Sequence, residues 1–224
     1  IGTGSNSMVI DDFGVNQIDF AKEGFVGGSY ITAGTYNGQP IRSMPLPAGT
    51  ASWGSEWKKS IGEWYGHAMS IGSHGSCMSY QDNYLDLDPT YKDQFGRPML
   101  RMTFNWKDND IRMTQFMRGK IEEIAKNMNP DIMQSGYKTE GAMYDVRPYQ
   151  TTHNVGGAAM GNDPNSSVVN RYLQAHDVHN LFVMGAGAFP QNLQYNPTGL
   201  VGGLAYWAAH ALRNDYLRNP RILA

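Results

Sequence analysis

The sequence predicts a mixed α+β and α/β chain, and three observations support this fold class. An alternating segment, MLRMTFNW (residues 99–106), predicts an antiparallel strand with one apolar face. Apolar residues at helical spacing between positions 110 and 128 predict one long amphipathic helix. An apolar run that ends in small residues, NLFVMGAGAFP (residues 180–190), precedes a helix-like segment, as in strand-helix units.

The amino-acid composition argues against several kinds of partner and excludes two kinds of cysteine site. The 224 residues suit one large domain or two modest ones, and 41% hydrophobic residues can build a core. Eighteen basic and twenty acidic residues give a formal net charge of −2 without a basic stripe, which argues against nucleic acid or an anionic membrane as a partner. Cys77 is the only cysteine, which excludes an intrachain disulfide and a cysteine-rich zinc site.

We expect neither a membrane span nor a signal peptide in these residues. No apolar stretch reaches the roughly 18 residues that a membrane span needs. The first residue is Ile1 rather than an initiator methionine, so we expect a fragment or a processed chain.

The first elements alternate extended and helical patterns. Residues 24–41 mix β-branched, aromatic and glycine residues around Asn37-Gly38, a dipeptide typical of tight hairpin turns, and so predict strands. Residues 55–68 predict a short helix with Ser55 at the N-cap.

A hairpin and the long helix are expected next. The alternating segment follows a turn-like sequence, DQFGRP, so we expect it to pair with the extended segment before it over residues 84–106. The long helix is expected to end at Asn129-Pro130. Its apolar stripe is predicted to consist of Met113, Met117, Ile121, Ile124 and Met128.

The sequence pattern changes near Gln150, from a β-rich part to a strand-helix part. The apolar run at 180–190 predicts a buried parallel strand that delivers its C-terminal end to a ligand, and a final helix is predicted from Pro197. The stripe of that helix is predicted to consist of Leu200, Leu204, Trp207, Ala208 and Ala211. We therefore predict two regions: a β-rich part with one long helix, residues 1–149, and a strand-helix part, residues 150–224.

Asn196 and Pro197 open this final helix. Proline is best tolerated at the first helical position, which makes Asn196 the expected N-cap. The same geometry would direct free N–H groups and a partial positive charge at whatever lies in front of Asn196, which suits an electron-rich cofactor. Capping and cofactor binding both stay open on spacing alone.

His153 stands at the head of a run of small residues, TTHNVGGAAMG (residues 151–161). An imidazole exchanges protons near neutral pH and is the usual general base, and small residues let a flat group pack against the backbone. By itself the motif favours a hydrogen-bonded structural histidine over a catalytic base.

Three other groups of residues resemble functional motifs but have structural explanations. His176 and His179 suit surface or cap positions before a strand, and no metal site is predicted. His74 and Cys77 are three residues apart on an extended segment, which points them to opposite faces, so Cys77 is expected to be a small core residue. The opening IGTGSNS lacks the third glycine and the preceding strand of a dinucleotide-binding loop.

The order of motifs in the C-terminal part is more specific than any of them alone. A histidine with small residues, an SVV strand, the NLFVMGAGAFP strand and NPT at the start of the last helix follow one another. This order resembles the C-terminal signature of the glucose-methanol-choline (GMC) family of FAD-dependent oxidoreductases. The segments MVIDDF, WKKSIG, NRYLQAHDVHNLFV and FPQN look closest to its gluconate-oxidising members, and the resemblance covers essentially the whole chain.

The resemblance implies a GMC-type fold with an antiparallel-sheet substrate domain over residues 1–149 and a C-terminal segment of the FAD-binding domain over residues 150–224. The family's adenine-binding glycine loop is absent from these residues. We therefore expect the C-terminal half of a longer flavoprotein, which lacks the N-terminal FAD-binding half and would not hold FAD alone.

By motif position, the resemblance implies that His153 and Asn196 face the flavin on the substrate side. His153 would accept the hydroxyl proton while the substrate carbon passes hydride to the flavin N5, and Asn196 would hydrogen-bond the same oxygen. Gly185 stands where many members carry an acidic residue. The residues implied to bind FAD are Asn154, Gly185, Ala186, Asn196, Pro197 and Thr198.

The implied reaction is oxidation of a CH–OH group of a sugar acid, sugar or polyol, with gluconate to 2-dehydrogluconate as the leading case. Oxidation of sorbitol, fructose, glucose or 2-ketogluconate is the alternative, and a truncated, flavin-free binding module for a cytochrome-bearing partner is a third hypothesis. The resemblance also implies a small subunit, a cytochrome c subunit, and a bacterial periplasmic location with membrane association through that partner.

Overall fold

The chain folds into two compact units, each assembled from two stretches of sequence. The computed structural model describes residues 8–17, 19, 21–35, 45–136, 138–141, 143–147 and 153–223. Unit 1 comprises Ile1–Gly75 and Ile111–Glu140, and unit 2 comprises Ser76–Asp110 and Gly141–Ala224. This geometric division does not follow the expected functional boundary between residues 149 and 150, which stays a prediction.

Unit 1 contains a three-stranded antiparallel sheet with the strand order β1-β2-β3. The strands are β1 (Met8–Ile10), β2 (Ser29–Thr35) and β3 (Met69–Gly75). Ile31 is almost fully buried because it lies on the central strand, between Ile10 and Ser73. Strand β2 confirms a strand within residues 24–41, whereas the expected turn at Asn37-Gly38 lies outside the described residues.

Helix α1 (Gly54–Trp64) confirms the short helix but not its cap. Trp53 is the N-cap residue, and no described side chain caps the helix. The prediction that Ser55 is the N-cap is wrong, because the helix begins one residue earlier and Ser55 lies inside its first turn.

The long helix is confirmed as α2 (Asp108–Asn127). Met113 and Met117 pack with Phe25 and Ile31 in the core of unit 1, as the stripe predicts. Met128 belongs to the predicted stripe but is 52% exposed, because it lies beyond the last helical residue. Asn129 has a φ of 52°, a left-handed conformation that stops the helix ahead of Pro130.

Two pairs of antiparallel strands belong to unit 2. Strands β5 (Tyr84–Lys92) and β6 (Pro98–Thr103) form the expected hairpin. Leu87 lies opposite Leu100 on the apolar face of this hairpin, and these side chains are 63% and 69% exposed. The other pair joins β4 (Cys77–Met78) to β7 (Gln191–Asn192).

The last helix of unit 2 is α3 (Thr198–Ala211), which continues into a π-helical turn, Leu212–Tyr216. Ala208 is fully buried in a cluster with Val169, Leu173 and Ala188. Of the predicted stripe, Leu204 is partly buried and Ala211 is buried, while Leu200 and Trp207 are exposed. No helix in the described part of the chain is both long and apolar enough to cross a membrane.

Candidate active site

His153 lies in an irregular segment of unit 2 and is half-buried. Its backbone carbonyl accepts a hydrogen bond of 3.2 Å from Nδ2 of Asn192. Asn192 is held in turn by strand pairing, because it lies opposite Cys77 where β7 meets β4. The structure therefore fixes His153 from a strand that is almost forty residues further along the chain.

Backbone hydrogen bonds join the segment after His153 to residues 186–188. The N–H of Met160 donates to the carbonyl of Ala188 at 2.8 Å, and the N–H of Ala158 donates to Gly187 at 2.8 Å. The N–H of Gly156 donates to the carbonyl of Ala186 at 3.4 Å. These bonds bring together the motif that begins at His153 and the apolar run that ends at Pro190, which the family resemblance implies belong to one site.

The backbone hydrogen bonds between residues 156–160 and residues 186–188 form a ladder. Gly156 lies in this ladder at a position that favours glycine. Its φ is 87°, and a Cβ added there would lie 3.3 Å from Oγ of Ser79 and 3.6 Å from the carbonyl oxygen of Phe189. Ser79 also donates a hydrogen bond to the carbonyl of Pro190. A larger residue at position 156 would be strained by its backbone conformation and would press against Oγ of Ser79.

The predicted parallel strand at 180–190 is not formed. Ala186–Ala188 is a single 3-10 turn, and Phe182 makes only an isolated antiparallel bridge with Gln174. The predicted SVV strand is likewise reduced to isolated bridges at Val169. A short apolar run indicates burial but does not distinguish a strand from an irregular buried segment, and Gly185, with a φ of 106°, interrupts the extended conformation.

The start of α3 differs from the prediction at its cap. The first helical residue is Thr198, Pro197 occupies the N-cap position, and no described side chain caps the helix. The prediction that Asn196 is the N-cap is therefore wrong, because the helix begins one residue later than expected. Asn196 is exposed, so its side-chain amide is accessible to a ligand.

The predicted site residues fall into two groups along unit 2. His153 and Asn154 begin the segment that is hydrogen-bonded to residues 186–188, next to Gly185. Asn196, Pro197 and Thr198 form the entry to α3, only four residues beyond the Asn192 side chain that contacts His153. Their roles in catalysis and FAD binding stay predictions.

Two residues that hold this site, Asn192 and Ser79, were not predicted from the sequence. Asn192 belongs to the FPQN motif, but nothing in its spacing indicates a contact with a histidine 39 positions earlier. Ser79 belongs to none of the motifs that predict the site. Both act through tertiary contacts, which no local pattern encodes.

The residues around Gly185 and the start of α3 fit a flat group that gains negative charge on reduction, such as a flavin. No described atom lies within 4 Å of the position where a Cβ on Gly185 would stand, so a planar group can approach the backbone there. An uncapped helix start carries N–H groups without intrahelical partners and a partial positive charge, which favours an electron-rich or anionic group. The exposed Thr198 belongs to this first turn.

Three of the other histidines, His74, His176 and His179, have hydroxyl partners. Nε2 of His176 lies 3.0 Å from Oγ of Ser167, and Nδ1 of His179 lies 3.0 Å from the hydroxyl of Tyr216. Nδ1 of His74 lies 2.8 Å from the hydroxyl of Tyr30. Within the described residues no cluster of three or more His, Cys, Asp or Glu side chains could hold a metal ion.

Tyr80 is a buried hydroxyl among acidic residues of unit 2. Burial, followed by the negative charge of Asp110 and smaller effects of Cys77, Asp108 and Asp82, raises the pKa of Tyr80 to about 12. The hydroxyl has no hydrogen-bond partner among the described residues. A hydroxyl that stays protonated up to this pH cannot act as a general base near neutrality.

The family follows from a comparison of the chain with known protein families. The family model described as GMC oxidoreductase matches residues 79–205, which is more than half of the chain. The chain belongs to the GMC oxidoreductase family. The match includes both His153 and Asn196 and confirms the family that the order of motifs predicted. The observed mixture of helices and antiparallel strands is consistent with a GMC C-terminal domain.

Curated relatives of this GMC chain are dehydrogenases. A gluconate 2-dehydrogenase flavoprotein from Pantoea cypripedii is 51% identical over 98% of this chain and 36% of its own length. A 2-methyl-1,2-propanediol dehydrogenase from Mycolicibacterium austroafricanum is 29% identical over 81% of this chain and 32% of its own length. A fructose dehydrogenase large subunit from Gluconobacter japonicus is 29% identical over 66% of this chain and 26% of its own length.

The chain spans about a third of the length of the curated relatives it matches. The family and the flavoprotein name of one relative imply a flavin cofactor for proteins of this kind. The residues of this chain that fit such a group lie at its C-terminal end, in unit 2.

Proposed function

We propose that the full-length protein is an FAD-dependent dehydrogenase that oxidises gluconate to 2-dehydrogluconate. The observation that carries this proposal is the 51% identity, over 98% of the chain, to a protein named gluconate 2-dehydrogenase flavoprotein. Identity at this level extends over both units rather than one motif, so it supports a shared substrate as well as a shared family. The hydrogen bond that holds the His153 backbone and the exposed amide of Asn196 are compatible with this chemistry.

His153 is the residue proposed to accept the proton of the substrate hydroxyl. A general base works only when its side chain is held within hydrogen-bond distance of the proton it removes. The backbone carbonyl of His153 is held by Asn192, and the ladder between 156–160 and 186–188 holds the segment that follows. When bound, FAD would accept the hydride that leaves the same substrate carbon as the carbonyl forms.

Asn196 is proposed to orient the substrate oxygen. Its amide can donate a hydrogen bond, and it is exposed and not used to cap α3. The first turn of α3 adds a partial positive charge next to this residue, which stabilises negative charge that develops nearby. The substrate oxygen would thus meet a donor at Asn196 while His153 takes its proton.

The first experiment is an anaerobic visible spectrum of the full-length protein before and after addition of gluconate. A flavin band that bleaches supports the cofactor, the reaction and the substrate together. His153→Ala should retain the flavin band but lower the rate of bleaching by roughly 100- to 10,000-fold, because a positioned base contributes that much. His67→Ala is a matched control, since this histidine is exposed on unit 1 and should leave the rate unchanged.

Fructose is the second candidate substrate, because a fructose dehydrogenase large subunit matches 66% of the chain. Bleaching by fructose, sorbitol, glucose or 2-ketogluconate, but not by gluconate, would replace the substrate and keep the oxidoreductase chemistry. A native protein that contains no flavin would instead support the binding-module hypothesis.

We further propose that the protein works with a small subunit and a cytochrome c subunit in the bacterial periplasm. One relative is named as a large subunit, which supports an assembly of several chains for that protein. Purification of the untagged partners with the native flavoprotein tests this assembly, and a haem spectrum in the purified complex is the expected result. A flavoprotein that purifies alone and transfers electrons without a haem protein would refute it.

A further inference from the structure

Asn192 connects two parts of the candidate site. Its backbone belongs to β7, where it lies opposite Cys77, and its side-chain Nδ2 donates to the carbonyl oxygen of His153 at 3.2 Å. The side chain is half-buried, so this hydrogen bond is only partly exposed to competing water. A strand residue with a fixed backbone thus reaches the residue proposed as the base.

The contact occurs where the backbone ladder weakens. The bonds from Met160 and Ala158 are both 2.8 Å long, whereas the bond from Gly156, the one nearest to His153, is 3.4 Å. The hydrogen bond from Asn192 acts three residues further toward the N-terminus, at His153 itself. It therefore extends the support of this segment beyond the end of the ladder.

The atom that Asn192 holds influences the direction in which the His153 side chain leaves the backbone. The carbonyl of His153 belongs to the peptide group that joins it to Asn154, so holding this oxygen restricts the ψ angle of His153. A restricted ψ restricts the direction in which the side chain leaves the backbone. A displacement of about 1 Å at a reacting group can lower a rate by about 100-fold.

We propose that Asn192 is a positioning residue that orients His153 for proton transfer. This inference rests on the proposed function, because it requires His153 to be the base. Asn192 acts through the backbone of His153, and the contact does not require Asn192 to touch the substrate. Its loss should therefore lower the rate of flavin reduction at saturating substrate more than it weakens substrate binding.

The test is a double-mutant cycle in the full-length flavoprotein, with Asn192→Ala, His153→Ala and the combination. Stopped-flow absorbance at the flavin band, across a range of gluconate concentrations, gives the limiting rate and the half-saturating concentration. Asn192→Ala should lower the limiting rate by about 10- to 100-fold and change the half-saturating concentration by less than about 3-fold. In the His153→Ala background the same substitution should cause no further loss.

The control is Gln191→Ala, on the same short strand. Alternate strand residues point to opposite faces, so this substitution tests general damage to β7 without removing the contact to His153. The visible spectrum of each variant, compared with that of the wild type, reports whether the flavin site is intact.

Three results would overturn the proposal, and they are distinguishable. Equal losses from Asn192→Ala in both backgrounds would mean that Asn192 acts independently of His153. An unchanged limiting rate in Asn192→Ala would mean that the hydrogen bond does not position the base. If His153→Ala alone reduces its flavin at the wild-type rate, the assignment of the base fails, and the role of Asn192 fails with it.

Discussion

Gln174 binds the backbone of Leu223 in the interior of unit 2, where its Oε1 accepts the N–H of Leu223 at 2.7 Å. Nε2 of the same amide donates to the carbonyls of Arg221 at 2.8 Å and His179 at 2.6 Å. Asn170 adds a hydrogen bond of 2.9 Å to the carbonyl of Leu223. The C-terminal tail is therefore held by polar side chains as well as by apolar packing.

Replacement of Gln174 by Leu should destabilise this region strongly. Gln174 is fully buried, so its loss leaves backbone groups of the tail without partners and away from water. We expect a loss of about 1–3 kcal/mol in the free energy of unfolding and faster hydrogen exchange at residues 219–223. The matched control is Gln134→Leu, whose amide also donates to a backbone carbonyl but is exposed. Unchanged exchange in the tail of Gln174→Leu would contradict the prediction.

Two glycines of one turn test the backbone strain and the predicted flavin contact at Gly185. Gly185 has a φ of 106°, whereas Gly187 does not have a positive φ, and neither has an atom within 4 Å of an added Cβ. Gly185→Ala should lower the stability by about 1–3 kcal/mol through backbone strain and should also weaken flavin retention, because a methyl group would stand where the flavin is proposed to pack. Gly187→Ala should leave both the melting temperature and flavin retention unchanged, because Gly187 has no positive φ and is not among the residues implied to bind FAD. Equal melting temperatures for both variants would show that the strain is absent.

Asn196 allows a test of capping against catalysis. Loss of an N-cap side chain normally costs about 1 kcal/mol, but Asn196 does not cap α3. We therefore expect Asn196→Ala to keep the wild-type melting temperature and to lower the rate of flavin reduction by about 10- to 100-fold. Thermal unfolding and stopped-flow reduction of the same preparation measure the two effects. A lower melting temperature with an unchanged rate would reverse the assignment.

The raised pKa of Tyr80 predicts how the free energy of unfolding depends on pH in alkaline solution. The unfolded chain ionises tyrosine near pH 10, whereas the folded chain holds the Tyr80 proton up to about pH 12. Its contribution to stability is therefore complete below pH 10 and is lost as the pH rises toward 12. Tyr80→Phe should show a smaller decline in unfolding free energy than the wild type between pH 9 and about 11.5. Near pH 7 the variant should be at least as stable, because the buried hydroxyl has no partner among the described residues. Parallel pH curves for the two proteins would contradict this assignment.

Periodicity in the sequence determined the elements that carry their own pattern. The stripe at Met113 and Met117 predicted α2 and its burial, because helical spacing brings such residues onto one face. Alternation around Leu100 predicted β6 and its hairpin. The order of motifs from His153 to Asn196 predicted the family, because several motifs in one order are more specific than any single one.

Tertiary structure decided what local patterns leave open. The run at 180–190 has the composition of a buried strand, but it is irregular: Gly185 has a positive φ, and Ala186–Ala188, which accept hydrogen bonds from 156–160, form a 3-10 turn. The contacts of Asn192 with His153 and of Gln174 with Leu223 join residues 39 and 49 positions apart. Local propensity reflects only neighbouring residues, whereas such pairs form when the whole chain packs, so only the folded structure reveals them.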